Sequence, residues 1–216
     1  MDKRVCIIDY SAGNLKSISK ALKVVGLEPY LVSTREMKNK KSFGCDIVVL
    51  PGVGEFGSAM KMIEEIRPQI IEHISLGKPF LGICLGIQLL FSKSEESPQR
   101  KGLGVLDGKV VKFDKKNGLP VPHMCWNRLK FIDVGKNDIR KVILRNLHKE
   151  EFFYFVHSYY PVVEEKNVCF GTTNYGVEFC SMVVKDNIVA TQFHLEKSGT
   201  KGLLLLENIM NYFKKM

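Results

Sequence analysis

Lys78-Pro-Phe-Leu-Gly-Ile-Cys84-Leu-Gly-Ile-Gln-Leu-Leu90 is an apolar strand that runs into a cysteine and turns at once into a helix. Gly82 and Gly86 stand two residues to either side of Cys84. A strand-to-helix turn this sharp strains its central residue and brings the positions at plus and minus two close together, where a side chain would crowd. The pattern predicts a nucleophile elbow with Cys84 exposed at a helix N-terminus. Unpaired N–H groups and the positive end of the helix dipole favour thiolate over thiol in that place. Most free buried cysteines act as small hydrophobes, but a cysteine that only filled space would not need both flanks cleared.

The flanking sequence alternates strand and helix. Val5-Cys-Ile-Ile-Asp9 reads as a buried strand, and Leu15, Ile18, Ala21, Leu22 and Val25 follow at helical spacing before Gly26. Tyr30-Leu-Val32 and Asp46-Ile-Val-Val-Leu50 read as further strands, and Met60 to Ile74 has a helical apolar period. This order predicts an α/β fold with a mostly parallel central sheet flanked by helices. Sites in such sheets lie beyond the carboxyl ends of the strands, so the loops after Asp9, Leu50 and Ile83 should converge on one edge. After Gly102 the texture changes to short β-rich runs: Gly108 to Phe113, Arg128 to Phe131, Glu151 to Tyr160, Val168 to Thr173, Val177 to Val184 and Ile188 to Phe193. These predict antiparallel strands and hairpins appended to the parallel core. Thr200 to Phe213 is an amphipathic helix, with Ser198 a candidate cap. No repeat, low-complexity tract or long linker divides the 216 residues, so one domain spanning 1–216 is expected.

Composition narrows the function classes. Hydrophobic residues make up 45% and charged residues 25%, ordinary values for a soluble domain, and no apolar run approaches the roughly 18 residues of a membrane span. Asp2-Lys3-Arg4 leads only into Val5 to Ile8 before Asp9, too short for a signal segment, so a cytoplasmic protein is expected. Cys6, Cys45, Cys84, Cys125, Cys169 and Cys180 show no C-x-x-C spacing, which predicts reduced thiols with neither zinc site nor disulfide framework. The net charge of +9 is dispersed in small groups (Lys38, Lys40 and Lys41; Lys115 and Lys116; Lys214 and Lys215), the pattern of solvated faces or an acidic partner rather than a nucleic-acid site.

A nucleophile needs a base. In Thr191-Gln-Phe-His194-Leu-Glu196-Lys-Ser, which follows the last predicted strand, residues two apart in extended backbone point to one side, so His194 and Glu196 can share a site. The imidazole would take the thiol proton, and the carboxylate would fix its tautomer and steady the imidazolium. His157 competes for the role of base, but it has no carboxylate two residues away and sits in an aromatic run that looks like a pocket wall. Leu50-Pro-Gly-Val-Gly54-Glu-Phe56 ends a core strand in a glycine-rich loop able to aim N–H groups at an oxyanion, with the amide of Leu85 as the second donor. No Gly-Lys-Ser/Thr follows it, which disfavours a phosphate loop.

Elbow, glycine loop and His-x-Glu in this order resemble the class I (triad) glutamine amidotransferases, and within them the glutaminase subunits of imidazole glycerol phosphate synthases. The resemblance runs through Ile8-Asp-Tyr10, Gly13-Asn-Leu15, Leu50 to Gly54, Gly82 to Gln88, Pro122-His-Met-Cys-Trp-Asn127, His157-Ser-Tyr159 and Gln192 to Gly199. It implies a flavodoxin-like glutaminase fold. It also implies hydrolysis of glutamine to glutamate and ammonia through a thioester, with no cofactor or metal. The ammonia would pass, within a heterodimer, to a (β/α)8 barrel subunit that makes imidazole glycerol phosphate and AICAR in histidine biosynthesis. Cys84, His194 and Glu196 match the triad, Gly52, Val53 and Leu85 the oxyanion region, and Gln88, Ser158 and Tyr159 the glutamine-binding positions. Asn14, Met124, Trp126, Asn127 and Lys197 fall where the family meets its synthase partner.

Two positions depart from the pattern: Cys125 stands where the family has glycine, and Leu195 where it has proline. A side chain at 125 bears on docking, and loss of proline frees the backbone between base and orienter. The departures leave open a paralogue that feeds a different barrel partner, such as one aminating a sugar, or a weakly active binding subunit.

Overall fold

The computed structural model describes residues 3–114, 118–135 and 138–216, which leaves Lys115 and Lys116 outside the described residues. The first half is the predicted alternation: β1 (Val5–Asp9), α1 (Leu15–Val24), β2 (Pro29–Ser33), α2 (Thr34–Met37), β3 (Ile47–Gly52), α3 (Phe56–Ile63), α4 (Arg67–Ser75), β4 (Phe80–Cys84) and α5 (Leu85–Leu89). Every residue of β3 and β4 is buried, as a parallel strand covered on both faces requires. Ile47 and Val49 pack with Ile18, Leu22 and Leu205 on one face, while Val48 and Leu50 pack with Met60, Ile63 and Ile70 on the other. The helical run from Met60 to Ile74 is not continuous. Pro68 in the first turn of α4 has no N–H to give to the preceding turn, so the chain passes through a 3-10 turn, Glu64–Ile66, and starts a new helix.

The second half comprises β5 (Phe91–Ser94), β6 (Leu106–Lys112), β7 (His123–Phe131), β8 (Glu150–His157), β9 (Tyr159–Val163), β10 (Cys169–Asn174), β11 (Glu178–Lys185), β12 (Ile188–Thr191) and α6 (Gly199–Lys214). One nine-stranded sheet has the order β2-β1-β3-β4-β12-β11-β10-β7-β8, and β5-β6-β9 form a second sheet. Three expectations need correcting. The last strand, β12, is not appended but lies inside the core sheet, parallel to β4 and antiparallel to β11. Glu151 to Tyr160 is two strands in two sheets, because the chain leaves the large sheet at Ser158. Ser198 occupies the N-cap of α6 without capping it, since its hydroxyl is taken by His194 O and Tyr154 N.

Four of the cysteines lie in close pairs. Cys6 stands beside Cys45 and Cys169 beside Cys180, with Cα separations of 6.0 and 5.7 Å, inside the span a disulfide permits. Adjacent elements bring each pair together, a proximity that sequence spacing does not reveal. Cys84 and Cys125 are free. Among the described residues no helix is long and apolar enough to cross a membrane.

Candidate active site

Cys84 ends β4 with φ 56° and ψ −107°, a strained conformation for a non-glycine residue and the one an elbow imposes. The two glycines are spatial necessities. A Cβ on Gly82 would come within 2.9 Å of the Gly86 carbonyl oxygen, and one on Gly86 would collide with the carbonyl oxygen of Leu50 on β3. Cys84 is 5% exposed, more enclosed than the predicted elbow tip, and is reached through a cavity of about 380 Å³. Its side chain rests against the Val156 carbonyl at 3.8 Å, and Gln192 Nε2 donates to the sulphur at 3.9 Å.

The base arrives from the neighbouring strand. Because β12 runs parallel to β4, with Thr191 opposite Ile83, the residues after both strands emerge on the same edge. His194 N donates to Tyr154 O on β8, and Ser198 Oγ donates to His194 O, so the base's backbone is clamped from both sides. His194 Nδ1 lies 2.8 Å from Glu196 Oε1, and both side chains are almost fully buried. They meet because Leu195–Lys197 is a 3-10 turn, not because the backbone is extended. A carboxylate accepts, so Nδ1 carries the hydrogen and Nε2 presents its lone pair. That Nε2 is buried and has no hydrogen-bond partner among the described residues, and Cys84 is near enough to act on the ring. Burial opposes charging the imidazole, but a Cys84 thiolate and Glu196 together outweigh it and push the pKa up to about 10, which favours the ring that has already taken the thiol proton on Nε2. Leu195 is fully buried in the core, so packing anchors the position where the family has proline.

His157 is excluded as the base by its contacts. Its Nδ1 faces the Tyr159 carbonyl at 2.8 Å and its Nε2 faces His123 at 2.9 Å, which leaves no nitrogen for the thiol.

The glycine loop sits beside the nucleophile, since Gly52 and Cys84 are paired across β3 and β4. Tyr10 donates its hydroxyl to Pro51 O at 2.9 Å and so ties the root of this loop to the core. Val53, Gly54, Cys84, Leu85 and Gln88 line one side of the cavity, and His157, Ser158 and Tyr159 the other. Gln88 Nε2 donates to Tyr159 O at 2.9 Å and to Gln192 Oε1 at 3.0 Å. Sequence reading overlooked Glu96, which also lines the cavity and accepts from Phe56 N at 2.8 Å. Burial pushes its carboxyl up, a penalty that a cationic group in the cavity would relieve. Glu96 lies in a charged loop with no pattern to mark it, and Gln192, although within the His-x-Glu stretch, was given no role.

Met124 and Trp126 stand exposed on β7 at 61% and 52%. Trp126 approaches Gly199 at the start of α6, just beyond Lys197 at the cavity rim, and Gly13 beside Asn14 packs against Gly52. Of these residues Lys197 itself lines the cavity. Asn127 differs from its neighbours because its amide turns inward, to His123 and to Asn174 O.

Residues 6–211 match the glutamine amidotransferase class-I family. The chain belongs to this family. Among class-I amidotransferases it is 46% identical to imidazole glycerol phosphate synthase subunit HisH of Aquifex aeolicus over 99% of both chains. It is 43% identical to the subunit of that name from Methanocaldococcus jannaschii over 94% of this chain and 97% of the relative. Solved structures share the fold: PurLQS from Thermotoga maritima superposes with a TM-score of 0.73 at 21% identity, covering 98% of this chain and 99% of that one. The glutaminase domain of Trypanosoma brucei CTPS gives 0.65 at 14%, covering 99% and 94%. In class-I terms, the site assembles a strained cysteine, a carboxylate-oriented histidine whose Nε2 has no other hydrogen-bond partner among the described residues and a glycine loop around one cavity. That is the equipment for acyl transfer through a thioester.

Proposed function

We propose that this chain is the glutaminase subunit of an imidazole glycerol phosphate synthase, acting in the cytoplasm in histidine biosynthesis. In this reading His194 Nε2 takes the Cys84 proton and the sulphur attacks the side-chain carbonyl carbon of glutamine. The N–H groups of Val53 and Leu85 would receive the negative oxygen. His194 then returns the proton to the leaving nitrogen, and ammonia departs as the C–N bond breaks. Water, deprotonated by the same ring, cleaves the thioester to give glutamate and free thiol. Gln88, Ser158 and Tyr159 line the binding cavity, and Glu96 is placed to pair with the substrate's ammonium group.

Ammonia is mostly ammonium at neutral pH and diffuses away, so a glutaminase feeding a synthase gains from a closed interface at the cavity mouth. We assign that interface to Asn14, Met124, Trp126, Asn127 and Lys197, and the partner to a (β/α)8 barrel subunit that makes imidazole glycerol phosphate and AICAR. The observation that carries the reading is the elbow cysteine beside a buried His194–Glu196 pair. Cys84→Ala fits the elbow but forms no thioester. It should abolish glutamine hydrolysis in the complex while leaving the melting temperature within a few degrees of wild type. Retained hydrolysis would sink the mechanism.

A further inference from the structure

Behind the cavity wall runs a chain of hydrogen bonds that the triad chemistry does not use. The Asn127 amide on β7 lies 3.1 Å from His123 Nε2 and donates to Asn174 O at 3.0 Å. His123 Nδ1 lies 2.9 Å from His157 Nε2, and His157 Nδ1 lies 2.8 Å from the Tyr159 carbonyl oxygen. The two histidines face each other directly across the β7–β8 ladder. The Tyr159 oxygen also accepts from Gln88, which donates to Gln192, and Gln192 reaches the Cys84 sulphur.

The partners fix every proton in this chain. A carbonyl only accepts, so His157 Nδ1 carries the hydrogen and Nε2 of that neutral ring accepts. His123 Nδ1 must then donate, which leaves its Nε2 to accept from the Asn127 amide. Reversing one link would set two hydrogens or two lone pairs face to face. Burial, and for His157 also the neighbouring His123, lowers both rings from the usual value, to about 3 for His157 and about 4 for His123. The His123 ring is stacked on Phe155 and Tyr175 at centroid distances of 4.8 and 3.9 Å, so its plane is fixed as well.

We propose that His123 and His157 are positioning residues for glutamine binding: a neutral, tautomer-locked pair that holds the Tyr159 carbonyl, and through it Gln88, in the place set by Asn127 on β7. The proposal rests on the glutaminase reading. Both lone pairs of the Tyr159 oxygen are occupied, by His157 and Gln88, so a shift of one donor is felt by the other. The chain meets the cavity wall rather than the oxyanion loop. Loosening it should therefore weaken ground state and transition state alike and appear in KM.

The test compares variants in complex with the synthase partner. His123→Phe keeps the aromatic stack and removes both ring nitrogens; KM for glutamine should rise about tenfold, with kcat within about threefold of wild type. His157→Asn can still donate to the Tyr159 carbonyl and should recover part of the loss seen in His157→Phe. Asn127→Ala should move KM the same way but less, at a partner concentration that saturates the complex, because Asn127 is also assigned to the interface. In the wild-type chain alone, nitrogen–proton spectra at neutral pH should show both rings uncharged with hydrogen on Nδ1. A ring protonated on Nε2, a charged ring, or a fall in kcat with KM unmoved would overturn the proposal. Absence of glutaminase activity in the wild-type complex would instead break the functional reading, an outcome distinct from the tautomer spectrum.

Discussion

The two sides of the site are held by different means. On the nucleophile side, β3, β4 and α5 meet backbone to backbone, Gly82 against Gly86 and Gly86 against Leu50, and Gly52 lies close under the side chains of Tyr10 and Leu85. On the base and pocket side, position is set by side chains, with Glu196 on His194, Ser198 on the His194 carbonyl, and His123 and His157 on Tyr159. Backbone contacts leave no room for adjustment, so that side should fail by losing the fold. Hydrogen-bonded side chains can be removed one at a time, so the other side should fail by degrees and keep the fold.

The sharpest check on this contrast is His194→Ala. It should reduce glutamine turnover by about 10⁴-fold, the scale for a lost triad member, with a normal melting curve. Glu196→Gln should cost less, because an amide still orients the ring while stabilising its charge poorly; equal losses in the two variants would contradict the orienter role. Gly86→Ala tests the backbone side. Its Cβ collides with the Leu50 carbonyl, so a loss of about 3 kcal/mol in denaturant unfolding is expected, and a stable Gly86→Ala would break the comparison.

A third effect depends on pH. His123 and His157 are held neutral in the fold, at about 4 and about 3, whereas an unfolded chain protonates them near 6.5. The unfolded state therefore binds more protons as pH falls below about 6.5. The full stability is present above that value and declines toward pH 4, by about 2 kcal/mol per ring at pH 5. Urea midpoints at pH 7 and pH 5 should show this loss in wild type and a smaller one in His123→Phe; equal losses would remove the pair as its source. The smallest effect is expected from Leu195→Pro. His194 is extended, as a residue before proline must be, and position 195 opens a 3-10 turn that tolerates proline. Activity should be unchanged, and stability should fall by about 1 kcal/mol through the lost burial of Leu195.

What was legible in the sequence follows the same division. Glycines at fixed spacing around Cys84 announce a backbone geometry, so the elbow, the loop after β3 and the alternating first half could be read directly. His194 and Glu196 were found because they are close in sequence, although the reason given, an extended backbone, was replaced by a 3-10 turn. Glu96, Gln192 and the His123–His157 pair carry no local pattern, since their partners come from remote strands. The placement of β12 between β4 and β11 was hidden for the same reason: pairing is decided by the whole sheet, and a short apolar run looks alike at an edge and at the centre.

The position of β12 also has a consequence in time. A ribosome releases β4 and its cysteine more than a hundred residues before His194 and Glu196. The early β1–β3–β4 layer can pair as it emerges, because domains begin to fold from the N-terminal side during synthesis. Until β12 slots in beside β4, the nascent chain carries an elbow with no base and no floor under half of its cavity. Under the proposed mechanism a truncated or stalled product should be chemically silent, unable to consume glutamine without a synthase to receive the nitrogen, because the strand that enters the sheet beside β4 also carries in His194, the group assigned to arm the thiol.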